Sequence, residues 1–509
     1  MFTKQDLQDL EVRGLNENAV KEQLNTFNNG VPFAKIVTAA SIGNGIEVLD
    51  ENAQKESVAY YEKNKAGLDI IKFVPASGAA TRMFKFLHEF LSDYNEEEEV
   101  LRDYIKVNKL DQLKLFFDNL KDFAFILELR KAIRKKYPDY KQSNRGQRMK
   151  MLVKTMLSKK GLNFSNLPKG LIPFHRYTKF VKTAYEEQLF EATQYAFAHD
   201  TAHLHFTFSP EHLEFFKNEY ERVQNRITSK TKIKLKISYS FQCDSTKTIA
   251  VDNENIPVRK DDGNLLLRPS GHGALIKNLN NVNADIVFIK NIDNVAAEEY
   301  LREIAFYKKM LAGKLLQLQK KIFSYLQIII EHNVTDENLA EMKAFLWNEL
   351  YIRENPETPA GIAGVLNRPL RVCGVVKNTG APGGGPFWVR NKEGNMSLQI
   401  VEMSQVNIDD TSQASLAKEA THFNPVDIVC ATKDYEGNCF NLAHFVDESA
   451  SFISNKTLNG KPIKALELPG LWNGAMARWN TVFVEVPQST FNPVKTVNDL
   501  LRNEHRPNA

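Results

Sequence analysis

Apolar positions change period several times along the chain, and each change marks a different kind of element. Residues 1–66 read as short helices around a polar loop at "SIGNGIEVLDENA". In "LDIIKFVPASG" the pattern becomes one apolar run, Ile70, Ile71, Phe73 and Val74, closed by Pro75 and Gly78. Such a run predicts a buried strand ending in a turn. From Met83 to about Lys160 the spacing turns helical, with Leu110, Leu113, Phe117, Leu120 and Leu127 on one predicted apolar face.

Between 166 and 300, "HLHFTFS", "KIKLKISYSF" and "ADIVFIKNID" predict strands, separated by helical stretches such as "EHLEFFKNEYERVQNR". This alternation predicts an α/β fold with a mainly parallel sheet covered by helices on both faces. A second helical segment covers roughly 297–350, with Ile304, Leu311, Leu315, Leu318 and Ile322 in phase. "ENPETPAGIAG" (354–364) predicts a loop or hinge, and the rest returns to short strands and turns with no internal repeat.

The length of 509 residues calls for more than one compact core, or for one core with insertions. Hydrophobic and charged contents of 43% and 25% are those of a soluble globular protein. A net charge of +4 by itself requires no polyanionic partner. One stretch departs from that balance: Arg130–Lys160 holds 12 Lys and Arg against Asp139 alone. It reads as solvated helix faces or as a patch attracting phosphates. The scarcity of aromatic residues there makes nucleic acid an unexpected partner.

No apolar run approaches the length needed to span a bilayer, and "MFTKQDLQDLEVRG" has no apolar leader core. Cys243, Cys373, Cys430 and Cys439 form no CxxC pair, which predicts reduced thiols in a cytoplasmic protein. The 11 His residues show no HExxH pattern, so a zinc site is not expected.

Five stretches carry candidate chemistry. "FVPASGAATRMFKF" places Ser77, Gly78, Ala79 and Thr81 in a strand-to-helix turn, where bare backbone N–H groups can approach a phosphate and Arg82 can reach one of its oxygens. A plain βα turn explains it equally well, and without GK[ST] it is not a P-loop. "LPKGLIPF" holds Lys169 between Pro168 and Gly170, a point cation on a restricted backbone. "RPSGHGALIKNL" flanks His272 with Gly271 and Gly273, bare enough to touch a base or ribose, or simply a turn. "IVFIKNIDNV" puts Asp293 at a strand end, where α/β sheets place their ligands and a carboxylate can hold Mg²⁺ or merely cap a helix. "FNPVKTVNDLL" carries Lys495 ahead of a short helix.

In this order the five stretches resemble the UDP-sugar pyrophosphorylases, the UTP–sugar-1-phosphate uridylyltransferases with a GT-A-type nucleotide-binding sheet. "PASGAATRM" is similar to their Gly-rich signature loop, "PKGLIPF" to the Pro-Lys motif, and "FQ" with "DGNLLLRPSGHGAL" and "FIKNIDNV" to the base- and metal-binding stretch. "FNPVKTVNDLL" resembles the segment with the phosphate-contacting Lys, and "RVCGVVKNTGAPGGGPFWV" and "LQIVEMSQ" the sugar-holding segments.

The resemblance implies the reaction of UTP with a sugar-1-phosphate to give a UDP-sugar and pyrophosphate, by in-line attack on the α-phosphorus. It implies Arg82, Lys169 and Lys495 on the phosphates and Asp293 on Mg²⁺, with Asp427 as a weaker candidate for a second carboxylate. Gln242, Gly271, His272 and Gly273 would read the base, and Gly374, Glu402 and Asn424 would face the sugar. The organisation it suggests is an N-terminal helical segment (1–66), a nucleotide-binding core (67–300) interrupted by a helical insertion (84–165), a helical segment (301–360) and a sugar-binding part (361–509).

Three departures from the family pattern bear on this. Ala80 stands where the loop has its second Gly, so its methyl group would push phosphates outward or demand another backbone path. The insertion separates Arg82 from Lys169 and would act as a lid. The chain ends soon after Lys495, so the C-terminal β-helix of the eukaryotic glucose enzymes is not expected and no oligomeric state carries over. Two alternatives remain open: a nucleotide or nucleotide-sugar binding protein without catalysis, and a GT-A glycosyltransferase.

Overall fold

A computed structural model describes residues 2–78, 80–380, 383–423, 427–458 and 460–507. The chain forms two compact units, each assembled from separate segments: 1–73, 240–289 and 307–488 in the first, and 74–239, 290–306 and 489–509 in the second.

The first unit is built on a mixed, mainly parallel sheet. Its neighbouring strands run in the order Ser41–Ile42, Gly45–Glu47, Asn480–Glu485, Leu370–Lys377, Asp427–Ala431, Ile286–Lys290 and Ile70–Pro75. Four of the pairings are parallel, including Ile70–Phe73 against Ile286–Ile289; Leu370–Lys377 against Asp427–Ala431 is antiparallel. The apolar runs behave as the sequence predicts. Every residue of Ile70–Pro75 and of Ile286–Lys290 is buried, as strands are when both faces of a sheet are covered. Two smaller sheets complete this unit, one of Thr248–Val251, Leu267–Arg268, Phe452–Leu458 and Lys461–Glu467, the other of Lys35–Ala39, Gly385–Arg390 and Met396–Val401.

Two readings change. The loop at "SIGNGIEVLDENA" contains the short strands Ser41–Ile42 and Gly45–Glu47, too short to show a period, and the second pairs with Asn480–Glu485. The segment 354–364 is not all loop: Thr358 caps a helix at Pro359–Leu366, with Pro at its first position, where a missing N–H costs nothing.

The second unit carries the neighbouring strands Thr201–Phe208 and Lys234–Phe241, the helices Ala184–Tyr195 and Leu213–Thr231, and the helical insertion. The insertion is not one continuous amphipathic face. Helix Asp111–Asp118 buries Leu113 and Phe117, but the chain breaks before Ile126–Lys136, the phase resets, and Leu127 is left 61% exposed. The insertion does not stand apart either. Its buried Leu87, Phe90, Phe116, Leu129 and Met156 share one core with Ala80, Met83, Ile172, Phe174, Val295, Val494, Val497 and Leu500. Shared close packing of this kind makes it a buttress for the elements it adjoins, not a hinged cover. Among the described residues no helix is long and apolar enough to cross a membrane, and all four cysteines are unpaired.

Candidate functional site

Four stretches far apart in sequence meet in the second unit, and main-chain hydrogen bonds join them. The Pro75 carbonyl accepts from the Ile292 N–H at 3.1 Å. The turn beyond it is stitched twice to the Pro-Lys segment: Lys169 N–H donates to the Gly78 carbonyl at 3.2 Å, and Ala80 N–H to the Leu167 carbonyl at 3.4 Å. Val494 N–H donates to the Asp293 carbonyl at 3.2 Å, and Asn492 N–H to Asn294 Oδ1 at 2.8 Å. Gly170 permits one of these approaches, since a Cβ there would lie 2.8 Å from Ile292 Cγ1.

On this frame, Lys169 Nζ donates to Asp293 Oδ2 at 2.7 Å, with the side chains 13% and 20% exposed. Lys495 is exposed, while its main-chain N–H and that of Thr496 both donate to Asp499 Oδ2, at 2.7 and 2.6 Å. That capping box starts the turn Val497–Leu501. Arg82 and Thr81 stand exposed in the turn Ala80–Phe84, Ser77 is half-buried, and Gly78 is exposed, with open space where a Cβ would be. Ala79 lies outside the described residues. Ala80 is fully buried, so its methyl group is taken up by the core next to Met83 and Phe84.

Lys169, Asp293, Lys495 and Arg82 therefore stand on joined segments. As for a metal, Asp293 offers one hard oxygen donor, and among the described residues no group of three or more His, Cys, Asp and Glu side chains is placed to hold an ion. A single carboxylate is within what Mg²⁺ takes from a protein, since it usually binds one or two and fills its remaining positions with phosphate oxygens and water. Asp427 is committed elsewhere, buried and ion-paired with the buried Lys308 in the first unit.

The remaining candidates fall in the first unit. Gln242 Nε2 donates to the Gly271 carbonyl at 3.4 Å, and Gly271 has a φ of +74°, which favours glycine. His272 stacks on Trp472 with ring centroids 4.2 Å apart, and its Nδ1 accepts from the Leu471 N–H at 3.0 Å, so the ring proton is assigned to Nε2. Burial pushes this imidazole down to about 4. A Cβ on Gly273 would lie 2.4 Å from the Pro469 carbonyl oxygen and 2.7 Å from that of Leu468. The bare Gly-His-Gly backbone thus lets the 468–472 chain pack against it. Gly273→Ala is expected to destabilise the protein by roughly 2 kcal/mol or more, measured by urea unfolding, because main-chain atoms must give way. Gly374 lies inside a strand, where a Cβ would meet Val486 Cγ2 at 3.1 Å and Leu311 Cδ1 at 3.2 Å. Glu402 caps the turn Met403–Gln405, and Asn424 lies outside the described residues.

Sequence reading missed a buried polar chain that anchors the C-terminal segment. His175 Nδ1 donates to Glu187 Oε1 at 2.8 Å, His505 Nδ1 to His175 Nε2 at 2.9 Å, and Arg502 Nη2 to His505 Nε2 at 3.3 Å, with tautomers assigned from the partners. No local pattern marks it, because His175 and Glu187 lie far along the chain from Arg502 and His505. Burial, with His175 and Arg502 alongside, holds the His505 imidazole well below its ordinary range. The folded state therefore resists a proton that the unfolded chain accepts below about pH 6.5, so this stability is full above that pH and lost as pH falls. Amide exchange over 494–506 should accelerate between pH 7 and 5 after correction for intrinsic rates. His505→Asn should flatten that dependence, and a flat wild-type profile would contradict the anchoring role.

A family model described as "Domain of unknown function (DUF4301)" matches residues 3–506. No curated protein matches the sequence. Among solved structures, two mutant forms of UDP-glucose pyrophosphorylase from Leishmania major, both in complex with UDP-glucose, share 13% and 12% identity with the chain. The matches cover 99% and 100% of this chain and 78% and 80% of theirs, each with a TM-score of 0.43.

Proposed function

We propose that this chain, which belongs to the DUF4301 family, is a nucleotidyltransferase that joins UTP and a sugar-1-phosphate into a UDP-sugar with release of pyrophosphate. The observation that supports the reading is the four-way junction of the second unit, whose joined segments carry the Lys169–Asp293 pair together with Arg82 and Lys495 in sequence.

Both reactants are anions, so the site must align them while cancelling charge. Lys495, on a backbone fixed by Asp499, neutralises charge on the α-phosphate as the nucleophile approaches. Arg82 takes the departing pyrophosphate. Lys169 turns from Asp293 to a phosphate oxygen, and the Asp293 carboxylate would hold Mg²⁺. When bound, the ion would supply neutralisation of phosphate charge. No general base is needed, because the attacking phosphate oxygen is already ionised.

The burial of Ala80 in the core weakens one of the two grounds for a binding-only reading, the other being the large insertion, since the Ala80 methyl group is taken up in packing. The test is pyrophosphate release with Mg²⁺, run over nucleoside triphosphates against a panel of sugar-1-phosphates. Release requiring both UTP and one sugar phosphate supports the proposal. UTP binding by calorimetry with no release from any pair would leave a nucleotide-binding protein instead.

A further inference from the structure

Helix Ala184–Tyr195 is buried at eleven of its twelve positions, yet four of those positions are Glu186, Glu187, Gln188 and Glu191. A helix buried all round is ordinarily apolar, because each polar group taken from water must find a partner. Three of the four find charged ones. Glu186 pairs with Arg226, Glu187 binds His175, Tyr177 and Lys182, and Glu191 accepts from Lys290 at 2.9 Å.

Gln188 is different, since it turns to main chain. Its Nε2 lies 2.7 Å from the Asn291 carbonyl oxygen, 3.4 Å from that of Ile292 and 3.5 Å from that of Asn294. The loop carrying Asp293 thus wraps around one fully buried amide. The same loop is held just before by Glu191 on Lys290, and just after by Asn294 on the Asn492 N–H.

We infer that Gln188 is a positioning residue for the phosphate site: by gathering the carbonyls on either side of Asp293, it fixes where that carboxylate stands. This rests on the reading of Asp293 given above. A partner behind a metal-holding group commonly tunes metal affinity tenfold to a hundredfold without touching the ion. Gln188→Met keeps length and bulk but removes the donor. The Mg²⁺ concentration for half-maximal pyrophosphate release should rise on the order of tenfold, with the KM for UTP changed far less.

Two readouts do not depend on turnover. Mn²⁺ binding in the presence of UTP, followed by water proton relaxation, should weaken by a similar factor. Amide exchange at 291–294 should accelerate, with exchange in helix Leu213–Thr231 unchanged. Gln188→Asn keeps the amide on a shorter arm, should recover part of the metal affinity, and serves the same purpose if the Met variant does not fold.

Faster loop exchange with unchanged metal dependence would reduce Gln188 to a structural role and overturn the inference. So would wild-type behaviour of Gln188→Met in every readout. If the wild type shows no Mg²⁺-dependent binding of UTP, the reading of Asp293 itself falls, and this inference with it.

Discussion

Asp293→Asn is expected to cut Mg²⁺-dependent pyrophosphate release by about a thousandfold or more while the protein stays folded. The substitution keeps the shape and removes the charge, so the Asp293 side chain no longer compensates a divalent ion. Stability should fall only modestly. Asp293 and its ion-pair partner Lys169 are 20% and 13% exposed, and Asn keeps an oxygen acceptor for the ammonium, so the loss should be on the order of 1–3 kcal/mol. The check is a Mg²⁺ titration of initial rates alongside a thermal melt. Unchanged metal dependence in a folded variant would remove Asp293 from the metal. Lys169→Ala separates the two partners: turnover should fall while Mn²⁺ affinity without nucleotide rises, because the carboxylate no longer shares its charge with an ammonium. Weaker metal binding in that variant would mean that Lys169 orients the carboxylate instead of competing for it.

Lys495→Ala should lower kcat by about 10² to 10³, the loss typical of removing one group aimed at transition-state charge. Folding should be unaffected, since the Lys495 backbone is held through its N–H on Asp499 and the neighbouring Val494, Val497 and Leu500 fill the core. Lys495→Arg, which keeps the charge but alters its geometry, should retain part of the activity. Single-turnover kinetics at saturating substrates is the measurement. A variant with near-normal turnover would take Lys495 out of the site.

Much of this was legible in the chain. The runs at Ile70–Val74, interrupted by Lys72, and at Ile286–Ile289 read as buried strands because they are short, rich in β-branched and aromatic residues and bounded by turn residues, as suits a sheet covered on both faces. The short strands at 41–47 were not legible, since two or three residues carry no period and their partner Asn480–Glu485 lies near the other end of the sequence. Leu127 misled for a related reason: helical spacing says which residues share a face only while the helix continues, and a break sits in between.

The candidate site divides along the same line. Sequence by itself determined which residue types sit at strand ends and turns, among them Lys169 after Pro168, Asp293 after an apolar strand, and Lys495 ahead of a capped turn. These are local matters of backbone restriction and side-chain chemistry. Only the tertiary structure decided that the segments join, that Lys169 and Asp293 form an ion pair, that the methyl group of Ala80 is used in packing, and that Gln188 and His505 hold the loops from behind. The physical reason is distance along the chain. A main-chain hydrogen bond between residues 78 and 169, or 293 and 494, depends on how the whole core packs and leaves no mark on the residues beside it.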